Sequence, residues 1–152
     1  MDMIIFIGLQ ASGKSTFFRT SFANTYTYVS KDLLRNNKKP GRRQAQLIEE
    51  ALQAGRSVVV DNTNATLVER HLLIVQGRMH GAKIIGYYFE SQVQHCIERN
   101  KQRTGKAKVP VVALYATAKK LVPPSLSEGF DELYTVRIGE NSTFEIEEGK
   151  GV

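Results

Sequence analysis

The feature that most constrains this chain is the octet Gly8-Leu9-Gln10-Ala11-Ser12-Gly13-Lys14-Ser15, set between an apolar run at residues 3–7 and a helical pattern from residue 14 to about 22. Glycines at its first and sixth positions let the backbone curl so that successive N–H groups point inward at an anion. The helix that follows adds the positive end of its dipole. The octet therefore predicts a cradle for the phosphates of ATP. Gly8, Gln10, Ala11, Ser12 and Gly13 would line it, Lys14 would bridge the β- and γ-phosphates, Ser15 would ligate Mg²⁺ through its hydroxyl, and Thr16 would reach the α-phosphate.

The rest of the chain alternates β-rich runs with helical patterns. Strands are expected at residues 3–7, 26–29, 57–61, 83–89 and 132–138, with a short edge strand at 143–147. Helices are expected at about 14–22, 44–53 (stripe Ala45, Ile48, Leu52), 66–79 (stripe Val68, Leu72, Val75, Met79) and 92–103. A last helix starts at Pro110, with Val111, Leu114, Tyr115 and Ala118 facing inward. Strands separated by helices of this length pair in parallel through right-handed crossovers. The predicted architecture is one α/β domain over residues 1–152, three-layered, with a mostly parallel central sheet and ligands at the carboxyl ends of its strands.

Composition narrows the setting. No apolar run approaches the roughly 20 residues a membrane helix needs, and the opening residues lack a signal-peptide pattern, so the expectation is a cytoplasmic protein with no membrane partner. A lone cysteine, Cys96, excludes an internal disulfide framework and reads as buried packing. The net charge of +6 is unevenly spread. Residues 31–43 carry six basic side chains and one acid, residues 99–108 five basic and no acid, and residues 126–152 seven acids and two bases. Two basic segments of this kind form either solvated loops or a positive cleft that attracts polyanions.

Carboxylates after two of the strands bear on the chemistry. Asp32, in Ser30-Lys31-Asp32-Leu33-Leu34-Arg35, follows the second strand. From there it would face the γ-phosphate, orient an acceptor hydroxyl and take its proton. Arg35, one turn on, would reach the same acceptor. Asp61 ends the strand Val58-Val59-Val60-Asp61, where a carboxylate can organise a metal or hold Lys14 and Ser15; Asn62, Thr63 and Asn64 serve a turn equally well. Arg99 and Arg103 share a helix face and open a basic lid at about residues 99–110 that would close over the transferring phosphate. Other chemistries fail: His71, His80 and His95 lack metal-ligand spacing, and no Asp-x-Asp-x-Thr phosphatase signature occurs.

In order along the chain, the phosphate loop, Ser30-Lys31-Asp32-x-x-Arg35, Asp61-Asn62-Thr63-Asn64 with Arg70 nine residues past Asp61, Arg99-Asn100-x-x-Arg103, Lys106-Ala107-x-Val109-Pro110, Pro124-Ser125 and Glu128-Gly129-Phe130-Asp131-Glu132 together resemble the 5′-hydroxyl polynucleotide kinases of the P-loop phosphotransferase class. The resemblance spans residues 3 to about 137. It implies a P-loop kinase fold with a short arginine-bearing lid and transfer of the γ-phosphate of ATP, with Mg²⁺, to the 5′-OH of DNA or RNA. It makes Asp32 the general base, with Lys31, Arg35 and Arg70 on the acceptor side and Arg103, with Arg99, on the donor phosphates. Many relatives carry a phosphatase or ligase module that this chain lacks, so such a partner in a repair system is implied as well. Two other readings stay open: a kinase for a small metabolite or nucleoside, and an ATP-dependent nucleic-acid-binding module without transfer activity.

Overall fold

Residues 2–8 form the central strand because a continuous apolar run can be buried on both faces only inside a layered sheet. The computed structural model describes residues 1–34, 36–105, 108–139 and 143–149. Along the chain lie β1 (Asp2–Gly8), α1 (Lys14–Ser21), β2 (Thr27–Val29), a 3₁₀ turn (Lys31–Leu34), α2 (Pro40–Gln53), β3 (Val58–Asp61), α3 (Leu67–Met79), β4 (Lys83–Phe89), α4 (Val93–Lys101), α5 (Val111–Lys120), a second 3₁₀ turn (Leu126–Glu128), β5 (Glu132–Ile138) and β6 (Phe144–Glu148). The strands join in the order β2-β3-β1-β4-β5-β6. The first five are parallel, and β6 runs antiparallel on the edge of β5.

Alternation along β1 builds the three layers. Met3, Ile5 and Ile7 pack with Ile48, Ala51 and Leu52 of α2 and Leu73 and Ile74 of α3 on one face. Ile4 and Phe6 pack with Phe17 and Phe18 of α1 and with Phe89 and Val136 on the other. A smaller cluster of Leu9, Ala11, Cys96, Ile97 and Leu114 seats α4 and α5 against the phosphate loop, and Cys96 is indeed buried. The parallel register places Phe6 beside Asp61 and Gly8 beside Phe89, so the carboxyl ends of β1, β3 and β4 come out on one edge. No helix among the described residues is long and apolar enough to cross a membrane.

Three helical faces differ from the sequence pattern. In α3 the stripe Val68, Leu72, Val75 and Met79 lies outside, with Met79 at 79% exposure, while Arg70, Leu73, Ile74 and Gly77 face inward. Apolar residues occur all around this helix, so periodicity could not choose the face. Gly77 chooses it: a Cβ there would stand 2.4 Å from Ile84 Cδ1 and 2.8 Å from Met3 Sδ, so only glycine lets α3 approach the sheet this closely. In α2, Pro40 occupies the first turn and starts the helix four residues early. Gln44 is buried there and Ala45 exposed. In α5, Leu114 and Thr117 are buried, whereas Val111 and Tyr115 are exposed.

Candidate active site

The phosphate loop forms as its spacing requires. Gly13, at φ 98°, opens α1, and Ala11, at φ 60°, makes the left-handed turn before it. A Cβ on Gly13 would meet Ile138 Cδ1 and Phe144 Cε1 at 3.2 Å, so the loop is clasped from behind by the β5–β6 hairpin. Lys14 Nζ curls back to donate to the carbonyl oxygens of Gly8 (3.0 Å) and Leu9 (2.6 Å), with Ser12 Oγ at 3.5 Å. Burial penalises its charge and pushes its pKa down to about 8. The charges of Asp61 and Asp32 oppose that fall, and Arg103 adds to it.

The Asp61-Asn62-Thr63-Asn64 segment ties this loop to its surroundings residue by residue. Asp61, buried at the end of β3, accepts a hydrogen bond from Ser15 Oγ at 3.1 Å. Asn62 Oδ1 accepts from the backbone N–H of Lys31 at 2.9 Å, and its Nδ2 donates to Gln44 Oε1 at 2.6 Å. Gly8 N–H donates to the Thr63 carbonyl at 3.0 Å. Asn64, at φ 45°, donates to the Phe6 carbonyl at 2.7 Å. A run that reads as turn chemistry thus links β1, the phosphate loop and the segment bearing Asp32.

Lys31 and Asp32 stand exposed on the 3₁₀ turn after β2, with the Asp32 N–H donated to Ser30 Oγ at 3.2 Å. Arg35 lies outside the described residues. Arg99, in the last turn of α4, donates from Nε to the Ala11 carbonyl at 2.6 Å and so touches the phosphate loop directly. Arg103 lies past the C-cap Gln102 rather than on the helix. Asn100, 1% exposed, closes the base of this lid by exchanging hydrogen bonds with the Val109 backbone, 2.7 Å to its carbonyl and 3.0 Å from its N–H. Gln10 donates to Thr117 Oγ1 at 3.1 Å, joining the loop to α5, and Thr16 is exposed in the first turn of α1. Lys106 and Ala107 of the expected lid lie outside the described residues.

One expected acceptor contact is corrected. Arg70 is fully buried, paired through Nε and Nη2 with Glu128 at 2.8 and 3.2 Å and donating from Nη1 to the carbonyls of Asn64 and Ala65. It braces the segment behind Asp61 and has no surface to offer an acceptor. An arginine on an amphipathic helix reads alike in both roles, and only the fold shows which way it points.

Two residues of the site carried no motif. Gln44 orients Asn62. Tyr28, on β2, donates its hydroxyl to Asp61 and lies 3.5 Å from Ser15 Oγ. Burial, then the Asp61 charge and hydrogen bond, hold the phenol far above its usual pKa, so it stays a donor at neutral pH. An aromatic in a β-run carries no sequence signal for such a role.

The donor set also bears on metal. Among the described residues no group of three or more His, Cys, Asp or Glu side chains stands where it would hold an ion. Ser15 and Asp61 offer one hydroxyl and one carboxylate in mutual contact, all hard oxygen. Such a pair fits Mg²⁺, which keeps waters and phosphate oxygens and takes only one or two protein ligands.

Matched against protein-family models, residues 3–124 fit the AAA domain model. The chain belongs to the AAA-domain family. With a mostly parallel six-stranded sheet and the phosphate loop after its central strand, this AAA domain has the P-loop kinase fold. A relative from Acanthamoeba polyphaga mimivirus, described as a bifunctional polynucleotide phosphatase/kinase, is 30% identical over an alignment of 142 residues that covers 89% of this chain and 33% of the relative. The AAA domain thus spans about a third of the length of the curated relatives it matches. Among solved structures, a fungal RNA kinase superposes with a TM-score of 0.70 at 21% identity, over 93% of this chain and 40% of that one. A gluconokinase from Sinorhizobium meliloti superposes with 0.66 at 21% identity, over 91% of this chain and 83% of that one.

Proposed function

We propose that this chain is a kinase that transfers the γ-phosphate of ATP to the 5′-hydroxyl end of DNA or RNA. The observation that carries the reading is geometric: Ser15 Oγ of the phosphate loop donates to Asp61, the adjoining Asn62 holds the backbone N–H of Lys31 beside Asp32, and Arg99 donates to the Ala11 carbonyl of the same loop. A general base, a carboxylate beside the donor hydroxyl Ser15 and a lid arginine around one phosphate cradle are the parts phosphoryl transfer needs. The mimivirus relative, the fungal RNA kinase and the basic run at residues 31–43 support a nucleic-acid acceptor.

In this reading the loop backbone, Lys14 and Thr16 hold the triphosphate, and Gln10, Ala11, Ser12 and Gly13 shape its bed. Ser15 and Asp61 would hold Mg²⁺, which when bound neutralises phosphate charge. Asp32 orients the acceptor hydroxyl and takes its proton as the oxygen bonds to the γ-phosphorus. The bond to the β-phosphate bridging oxygen breaks, and ADP leaves with that electron pair. Arg103, with Arg99, stabilises the charge on the transferring group and helps exclude water. Lys31 and Arg35 engage the acceptor's phosphate. A phosphatase or ligase acting on the same ends is the partner this role calls for.

A second reading, a kinase for a small hydroxylated metabolite, is favoured by the gluconokinase superposition, which covers most of both chains. The test is transfer from γ-labelled ATP to a 5′-OH oligonucleotide by wild type and Asp32→Asn. Wild type should label the oligonucleotide. The variant should bind ADP normally and turn over about 10²- to 10⁴-fold more slowly. A folded variant as fast as wild type would remove Asp32 from the base role.

A further inference from the structure

The two carboxylates of the site come from different elements, Asp61 from the end of β3 and Asp32 from the 3₁₀ turn after β2, and the hydrogen bonds around Asp61 run toward both the donor hydroxyl and that turn. Tyr28 sits on β2 one residue before its last, opposite Val59 of β3, and its ring packs on Phe18 of α1 with centroids 4.3 Å apart. From there the phenol donates to Asp61 Oδ2 and stands 3.5 Å from Ser15 Oγ. Ser30 Oγ accepts the Asp32 N–H at 3.2 Å. On the other side, Asn62, next to Asp61, holds the Lys31 N–H at 2.9 Å. Ser15 and Tyr28 thus meet on one carboxylate, Asp61, whose neighbour Asn62 holds the turn that bears Asp32.

We infer that Tyr28 is a positioning residue of the transfer site: its hydroxyl holds Asp61 in the orientation that meets Ser15. The inference rests on the proposed role of Asp61. Only the hydroxyl does this; the ring packs on Phe18 with or without it. Removing an outer partner of a metal-side carboxylate typically costs 10- to 100-fold in metal affinity or activity.

The test uses Tyr28→Phe, Ser30→Ala and Asp61→Ala in the full chain, with Mn²⁺ as the probe followed by electron paramagnetic resonance in the presence of ADP. Metal-free ADP affinity, melting temperature and kcat are measured alongside. Tyr28→Phe should melt like wild type and bind metal-free ADP within about twofold, yet lose about tenfold in Mn²⁺ affinity and in kcat, with KM for the oligonucleotide unchanged. Ser30→Ala, which leaves the hydrogen bond from Tyr28 to Asp61 in place, should keep wild-type Mn²⁺ affinity. Wild-type Mn²⁺ affinity and kcat in Tyr28→Phe, with both lost in Asp61→Ala, would overturn the inference and leave the role of Asp61 standing. Wild-type Mn²⁺ affinity in Asp61→Ala would overturn both. A loss of Mn²⁺ affinity in Ser30→Ala as large as in Tyr28→Phe would trace the effect to the β2 end as a whole and overturn the assignment to the Tyr28 hydroxyl.

Discussion

Arg70 and Lys14 are both buried cations, and they are buried for opposite ends. Arg70 is satisfied on every side by Glu128 and two backbone carbonyls, so the pair braces the fold. Removing one partner strands the other charge. Arg70→Leu should cost about 3–5 kcal/mol of stability and lower the melting temperature by on the order of 10 °C, while KM for an oligonucleotide stays at the wild-type value in the protein that remains folded. A raised KM with unchanged melting would restore Arg70 to the acceptor side. Lys14 is held only by carbonyl and hydroxyl oxygens in its own loop, and its pKa is pushed down to about 8. That unfavourable burial is what an incoming phosphate relieves. Lys14, Ser15 and Asp61 were legible in the sequence because loop spacing and the end of a strand fix where such residues point. Tyr28, Gln44 and the inward turn of Arg70 were not, because their roles depend on neighbours 18 to 58 residues away.

At the scale of elements, the parallel pairing and the alternation of layers followed from apolar runs separated by helices, since a run buried on both faces has few other places to go. Helix faces were less legible. Apolar residues surround α3, and the deciding residue is Gly77, whose missing side chain admits Met3 and Ile84. The consequence is measurable by urea unfolding. Leu73→Ala, on the inner face, should cost about 2–4 kcal/mol, whereas Leu72→Gln, 66% exposed, should stay within about 0.5 kcal/mol of wild type. Equal losses at the two positions would put α3 in the wrong rotation. The segment at residues 99–110 is a further case: Arg99 lies on α4 as expected while Arg103 falls past the C-cap, and the clasp between Asn100 and Val109 was not readable, because Asn100 reads as any polar residue near a helix end.

At the scale of the whole molecule, the charge distribution and the sheet topology point the same way. Parallel strands deliver the phosphate loop, Asp61 and the Asp32 turn to one edge of the sheet, and the basic run at residues 31–43 begins at that turn. The acidic end of the chain instead supplies β6, the antiparallel edge strand on β5. An acceptor gripped through its phosphates should therefore bind less well as salt rises: log KM for a 5′-OH oligonucleotide should climb with log salt by about 0.7 per single-strand phosphate contact, while KM for ATP changes less. A flat profile would remove the basic run from acceptor binding. The central claim, a nucleic-acid end as acceptor, is tested most directly by offering the purified protein γ-labelled ATP with a 5′-OH oligonucleotide, the same oligonucleotide already 5′-phosphorylated, or gluconate. We predict label on the 5′-OH oligonucleotide alone; label on gluconate with none on either oligonucleotide would contradict the account.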